Sequence, residues 1–153
     1  MPAVYRIQKR QHLEGILTGF GAQLYGGRWN PVGVPLVYTS STPELALLES
    51  LVHLEGTPWE DLPPLVLVEL EIPDSLDDIE LHELPDDWQS QPVPPTVQHF
   101  LVPRLNSRAS LAYSVPSVIM PWSRNLLLDP LHPLIHEVKT LRVEDFMYDQ
   151  RLM

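Results

Sequence analysis

Apolar and polar positions alternate most clearly in residues 65–72 (LVLVELEI), whose second half sets Leu70 and Ile72 against Glu69 and Glu71. A period of two over that length predicts a strand with one buried face. Residues 3–7 (AVYRI) have the β-branched and aromatic content of a short first strand, and residues 35–40 (PLVYTS) read as a short buried one. Residues 111–120 (LAYSVPSVIM) form a strand carrying Ser114 and Ser117, and residues 134–143 form the last. Residues 79–84 read as a further strand ending at the turn Pro85-Asp86-Asp87.

One helix stands out. Ser41-Thr42-Pro43-Glu44 signals its start: either hydroxyl can cap it, Pro43 suits the first turn, and Ser41 with Glu44 has capping-box spacing. It should extend to about residue 54, ahead of Gly56. Leu45, Ala46, Leu47, Leu48, Leu51, Val52 and Leu54 place apolar groups nearly all round it, which predicts a largely buried helix. Glu49 and His53 lie four apart on one face. Elsewhere the pattern is weaker. Residues 9–17 are faintly amphipathic, residues 57–64 and 125–133 read as loops, and the proline-rich start of residues 91–100 turns into a short helix stopping before Pro103. Short strands with few helices, no internal repeat and no linker predict one α+β domain over residues 1–153, around a mostly antiparallel or mixed sheet.

Composition narrows the function classes. An apolar fraction of 44% suits a folded chain. Cysteine is absent, which excludes disulfides and thiolate metal sites. No stretch approaches the ~20 apolar residues that span a bilayer, and the N-terminal run lacks a signal-peptide pattern, so the cytoplasm is the default compartment. A net charge of -10 argues against direct contact with nucleic acid. Between Arg28 and Arg104 there is no Lys or Arg, while fourteen of the twenty acids fall there. That lobe is either a surface for a basic partner or a solvated acidic face.

Candidate chemistry concentrates between Tyr25 and Glu55. Six of the seven glycines lie between Gly15 and Gly33, and Gly26-Gly27 immediately precede Arg28. No spacing matches a Rossmann or P-loop fingerprint. Arg28 is the lone cation from Gln11 to Pro103; it suits bidentate recognition of a phosphate or carboxylate, or else a structural ion pair. Glu49 is a carboxylate in an apolar helix, a placement that requires a partner. It either pairs with His53 or sits on an exposed face, or it floors a cleft where it binds sugar hydroxyls and stabilises a developing cation. Trp29 reads as core. Tyr38, at a strand end, is either core with its hydroxyl satisfied or the wall for a flat ring. His132 and His136 lack a supporting acidic ligand, and no G-x-S-x-G surrounds Ser117, so neither a metal site nor a serine hydrolase is expected.

Together these residues resemble the RES-domain family, the toxins of RES–Xre toxin–antitoxin pairs, named for an arginine, a glutamate and a serine. The first motif is similar to Gly26-Gly27-Arg28-Trp29-Asn30-Pro31 followed by residues 36–40, and the second to Leu45-Ala46-Leu47-Leu48-Glu49. The third is similar to Val115-Pro116-Ser117-Val118, continued by Asn125-Leu126-Leu127-Leu128-Asp129-Pro130 and His132-Pro133; residues 148–152 match the family's ending. One departure is Gln98-His99-Phe100, where members usually carry a glycine–tryptophan pair.

The resemblance implies a fold similar to ADP-ribosyltransferases, with NAD+ as substrate and no prosthetic group. Members cleave the nicotinamide–ribose bond with water or phosphate as acceptor, or transfer ADP-ribose to a protein. Catalytic roles then fall to Arg28, Glu49 and Tyr38. Ser117, Tyr25 and His53 join them in binding NAD+, Tyr38 stacks on nicotinamide, and no metal takes part. The implied partner is an Xre-type antitoxin, which supplies the only link to DNA and opens the way to an oligomeric complex; no membrane is involved. From another class, a non-catalytic RES module would bind a basic partner without turning over NAD+.

Overall fold

The computed structural model describes residues 2–54 and 56–152. Among them, seven strands hydrogen-bond into one sheet: β1 (Ala3–Lys9), β2 (Val37–Ser40), β3 (Leu65–Glu71), β4 (Leu76–Asp78), β5 (Ala112–Pro116), β6 (Arg124–Leu128) and β7 (Lys139–Phe146). Their order is β4-β5-β6-β2-β1-β3-β7, antiparallel except for the parallel β4–β5 edge. The helices are short: α1 (Phe20–Tyr25), α2 (Pro43–Val52), α3 (Pro95–Gln98) and α4 (Val102–Asn106). This is the α+β arrangement on a mixed sheet that the pattern predicts.

The sheet has a seam. β1 pairs with β3 over its whole length, from Ala3↔Glu71 to Lys9↔Leu65, but meets β2 at the single pair Tyr5↔Ser40. One residue later, Arg6 Nη1 reaches across to donate to the Tyr38 carbonyl at 3.4 Å. Helix α2 packs over both strands of this seam.

A separate apolar cluster covers each face. Val4, Val37, Val66, Val68, Leu70, Leu126 and Leu128 belong to one; Trp29, Leu36, Trp88, Val97, Leu101, Tyr113, Val115 and Leu127 belong to the other. Alternating residues of β5 and β6 enter opposite clusters, Ala112 against Tyr113 and Leu126 and Leu128 against Leu127, as the pleat requires. The period-two reading of β3 matches: Val66, Val68 and Leu70 are fully buried between half-exposed neighbours.

Four expectations need correction. Residues 125–133 begin as a central strand and not as a loop. Leu126, Leu127 and Leu128 are buried alternately on both faces of β6, so no polar alternation marks the strand, and the flanking Asn and Asp mimic a loop. Residues 79–84 are not a strand: Glu83 Oε2 accepts from the Glu80 amide at 2.8 Å and winds Leu81–Glu83 into a 3-10 turn. The strand there is β4, whose Asp77 and Asp78 are poor strand formers; at the sheet edge they meet Arg104 (3.2 Å) and Arg124 (3.6 Å).

The last strand is shifted. Residues 133–137 form a 3-10 turn capped by His132 Nδ1, which accepts from the Leu134 amide at 3.1 Å, and β7 follows as an exposed edge strand. Finally, α2 is not largely buried. Leu45 and Ala46 are, but Leu48 is 39% and Val52 54% exposed, because the helix covers the seam as a single outer layer. Smaller departures occur elsewhere: Pro103 lies in the first turn of α4 and does not end a helix, and residues 9–17 form a 3-10 turn followed by further turns.

Candidate active site

Helix α2 starts at Thr42, whose hydroxyl accepts from the Leu45 amide at 3.1 Å, with Pro43 in the first turn. Thr42, and not Ser41, is therefore the cap; the Ser41 amide instead donates to the Arg124 carbonyl at 3.1 Å. This start carries Glu49 to the side of the helix that faces β5 and β6. There Glu49 Oε1 accepts from Ser117 Oγ at 2.7 Å and from Asn125 Nδ2 at 3.0 Å. The network continues as Ser40 Oγ donates to Asn125 Oδ1 at 2.9 Å.

Register explains the convergence. Ser40 pairs with Asn125, and Asn125 with Val115, so these side chains share one sheet face, and Ser117 follows two residues after Val115. Ser117 lies just past the end of β5, where its hydroxyl also accepts from the amides of Ile119 and Met120, each at 3.2 Å. It is fully buried, and every bond it makes aims it at Glu49. Among the described residues, Glu49 Oε2 accepts no hydrogen bond, so one oxygen is pinned and the other is open.

The Gly26–Asn30 turn forms the neighbouring part of the site. Tyr38 donates its hydroxyl to Asn30 Oδ1 and accepts from the Trp29 amide at 3.0 Å. Asn30, fully buried, donates to the carbonyls of Ala22 and Val34, each at 2.8 Å. Gly27 is required here. A Cβ on it would lie 2.5 Å from the Tyr38 hydroxyl and 2.9 Å from Asn30 Oδ1. The turn holds Arg28 outward, where Nη1 donates to the carbonyls of Trp88 (2.9 Å) and Ser90 (3.0 Å) and Nη2 to the Gln91 side chain.

Electrostatics tie the two parts together. Burial lowers the pKa of the Arg28 guanidinium, and the charge of Glu49, with a smaller contribution from Tyr38, opposes that shift. Among the described residues Arg28 makes no ion pair with any acid, so Glu49 influences it through space. Burial pushes the Tyr38 phenol well up from its ordinary value, with its bond to the Trp29 amide and the charges of Arg28 and Arg6 pulling the other way. Arg6, half-buried on β1, is likewise lowered by burial.

The structure thus brings Glu49 and Ser117 into contact and sets Arg28 and Tyr38 beside them. Tyr25 is 82% exposed at the end of α1, and His53 is exposed at the end of α2. Neither bonds to Glu49; Ser117 and Asn125 hold it, so of the alternatives for that carboxylate the pairing with His53 is not the one formed. Sequence reasoning missed Asn125, Ser40, Asn30 and Arg6. The strand alternation that sends Ser40 and Asn125 to one face was hidden once residues 125–133 were read as a loop. The Gln98-His99-Phe100 departure is absorbed locally. Gln98 Nε2 donates to the Gly27 carbonyl at 3.2 Å, and Phe100 packs edge-on against Trp29 at 6.2 Å. Among the described residues no cluster of His, Asp and Glu has metal-binding geometry, and no helix is long and apolar enough to cross a membrane.

A mixed sheet split at a seam, with a pinned glutamate and an arginine turn on the same side, defines an α+β protein with a polar site at the junction of its two sheet halves. The chain belongs to the RES-domain family, whose model matches residues 3–149. It is 36% identical over 151 residues to the Toxin Res of Yersinia enterocolitica, covering 97% of this chain and 98% of that protein. It is 38% identical over 143 residues to the Prs ADP-ribosylating toxin of Sphingobium sp., covering 90% and 86%. The toxin in the crystal structure of the M. tuberculosis MbcT-MbcA toxin-antitoxin complex has a similar fold, with TM-score 0.71, 18% identity, and 95% of this chain and 84% of that chain covered.

Proposed function

We propose that this protein is the toxin of a toxin–antitoxin pair and that it acts on NAD+ by breaking the nicotinamide–ribose bond. The observation that carries the reading is Glu49. One of its oxygens is fixed by Ser117 and Asn125, the other accepts no hydrogen bond among the described residues, and its charge acts on Arg28 through space.

Breaking the glycosidic bond builds an oxocarbenium-like cation on the ribose. A carboxylate already oriented in a part-buried site stabilises that charge without reorganising as it forms. Glu49 Oε2 supplies it, or accepts from a ribose hydroxyl as the charge develops. Ser117 acts through Glu49: its proton is committed to Oε1 and its lone pairs to two amides, so it positions the carboxylate and does not attack. Nicotinamide departs as a neutral ring, and no strong general acid is needed. Arg28 uses Nη1 and one Nη2 hydrogen on the residue 88–91 segment, which leaves the rest of its fork for the anionic part of the dinucleotide. The Tyr38 hydroxyl is engaged within the Gly26–Asn30 turn, so Tyr38 shapes the site through that turn.

Purified protein free of antitoxin should release nicotinamide from NAD+, and Glu49→Gln should slow that release about a hundredfold or more. Intact NAD+ after long incubation with folded wild type, with and without phosphate, counts against the reading. Transfer of ADP-ribose to a protein is the second form of the same chemistry, favoured by the Sphingobium relative named for ADP-ribosylation. An ADP-ribose adduct on a target protein, read by mass spectrometry, distinguishes transfer from consumption of NAD+ by water or phosphate. The toxin–antitoxin complex of the structural neighbour supports an antitoxin as the restraining partner, and we assign it to the Xre type.

A further inference from the structure

The cavities of the described surface include two outside the Glu49 network. The smaller, about 100 Å3, lies between Tyr5, Glu69 and Arg142. Its polar groups are committed to one another: the Tyr5 hydroxyl donates to Glu69 Oε2 at 2.8 Å and Arg142 Nε sits 3.6 Å from Glu69 Oε1. The larger, about 350 Å3, is a groove walled by Leu81, Trp88, Pro116, Trp122 and Arg124, with Gln89 at its side. None of these residues takes part in the Glu49 network.

We propose that this groove holds the adenosine half of the dinucleotide whose nicotinamide end meets Glu49; the proposal rests on the reading of NAD+ as substrate. Its walls belong to the segments that build the candidate site. Pro116 immediately precedes Ser117, and Arg124 immediately precedes Asn125. The Trp88 carbonyl accepts from Arg28 at 2.9 Å. The groove and the candidate site therefore share two chain segments, and Arg28 is bonded directly to the wall residue Trp88.

The chemistry of the walls suits a purine. Trp88 and Trp122 bring flat indoles to the wall beside Pro116, and such surfaces stack on either face of a base. The polar groups are few and fixed, as in small-molecule sites. Arg124 Nη1 donates to the Ile79 carbonyl at 2.8 Å and Nη2 lies 3.6 Å from Asp78, so its guanidinium is positioned before any ligand arrives. Gln89 supplies an amide at the rim. The volume is in the range of ligand pockets and fits one nucleoside.

Trp122 is the most telling member. It is 98% exposed, the largest apolar side chain standing free on the described surface. Its backbone is nonetheless held rigidly, because the Ser117 amide donates to the Ser123 carbonyl and the Ser123 amide to the Met120 carbonyl, each at 2.9 Å. A rigid turn that holds an indole in water next to Arg124 and Ser117 is a stacking platform awaiting a ring.

The test uses Trp122→Ala in the full chain, a truncation that removes almost no packing. Nicotinamide release is measured from NAD+ and from nicotinamide mononucleotide, which lacks the adenosine half. The ratio of kcat/KM for NAD+ to that for the mononucleotide should fall about tenfold, through KM for NAD+. A ratio equal to that of wild type overturns the proposal, including the case in which both substrates weaken together. In parallel, AMP is titrated into wild type and Trp122→Ala while tryptophan emission is followed. If neither substrate releases nicotinamide, the reaction reading fails, and the AMP titration alone decides the groove. Quenching present in wild type and lost in Trp122→Ala upholds it, and its absence from wild type overturns it.

Discussion

The Ser117 hydroxyl donates to Glu49 Oε1 at 2.7 Å, joining residues 68 apart in sequence. The serine is fully buried and its remaining lone pairs accept from Ile119 and Met120, so its rotamer is fixed before any substrate binds. Ser117→Ala leaves Glu49 with Asn125 as its single anchor. We expect kcat for nicotinamide release to fall at least about tenfold with KM little changed, and a stability loss of about 2 kcal/mol. Glu49→Gln keeps the anchors but removes the charge, and should lose about a hundredfold or more. A Ser117→Ala variant with wild-type kcat would show that the serine does not position the carboxylate.

Arg28 meets two carbonyls and one side-chain amide on the residue 88–91 segment, a fork that a lysine ammonium cannot reproduce. Arg28→Lys keeps the positive charge and still should loosen that segment. Limited proteolysis is the check: new cleavage near residues 88–91, together with reduced NAD+ turnover, is expected. Unchanged cleavage with lost turnover would assign Arg28 to substrate alone.

Tyr38→Phe removes a hydroxyl that serves both Asn30 and the Trp29 amide while keeping the ring. Asn30 is fully buried, so its orphaned oxygen should cost about 1–3 kcal/mol. Turnover should fall as well, because Arg28 stands in the same turn. If the ring alone matters, as in stacking on nicotinamide, the variant will be destabilised yet turn over NAD+ normally.

The same phenol sets a stability limit at high pH. Burial raises its pKa above the ordinary value of about 10, and burial raises Tyr113 also. The folded protein then keeps protons that the unfolded chain releases. This contribution is complete below pH ~10 and is lost as pH rises towards the folded value. Denaturation midpoints should therefore fall above pH ~10, and less steeply in Tyr38→Phe. Tyrosinate absorbance during unfolding provides the check, and an identical fall in both proteins would refute it.

Gly27→Ala places a methyl 2.5 Å from the Tyr38 hydroxyl. The Tyr38 hydroxyl is tied to Asn30 and to the Trp29 amide, so it cannot move aside without moving the turn. A loss of about 1–3 kcal/mol is expected, with Arg28 displaced and turnover reduced. Gly33→Ala makes a useful contrast. A Cβ there meets nothing within 4 Å, though its φ of +97° still strains a side chain. It should destabilise without the same loss of turnover.

Much of the site could be read in advance, because its chemistry is local. Arg28 between glycines and a tyrosine, and Glu49 among leucines, are visible as exceptions to their surroundings. Which partners satisfy Glu49 could not be read. His53, four residues on, was the local candidate, but the helix turns that position away while register brings Asn125 to the opposite side. Register depends on which strands pair, and β6 was concealed by a leucine run buried on both faces. The exposure of Leu48 and Val52 was hidden for a related reason. Apolar content shows what a helix can bury, not whether a second layer exists to bury it.

Because Glu49 is held from Ser117 and Asn125, the site does not exist in the first half of the chain. A ribosome that has emitted residues 1–100 has released the arginine, the tyrosine and the glutamate, but nothing to hold the carboxylate in place. The nascent chain acquires its held carboxylate only when β5 and β6 have joined the sheet, so the site is assembled late in synthesis and all at once.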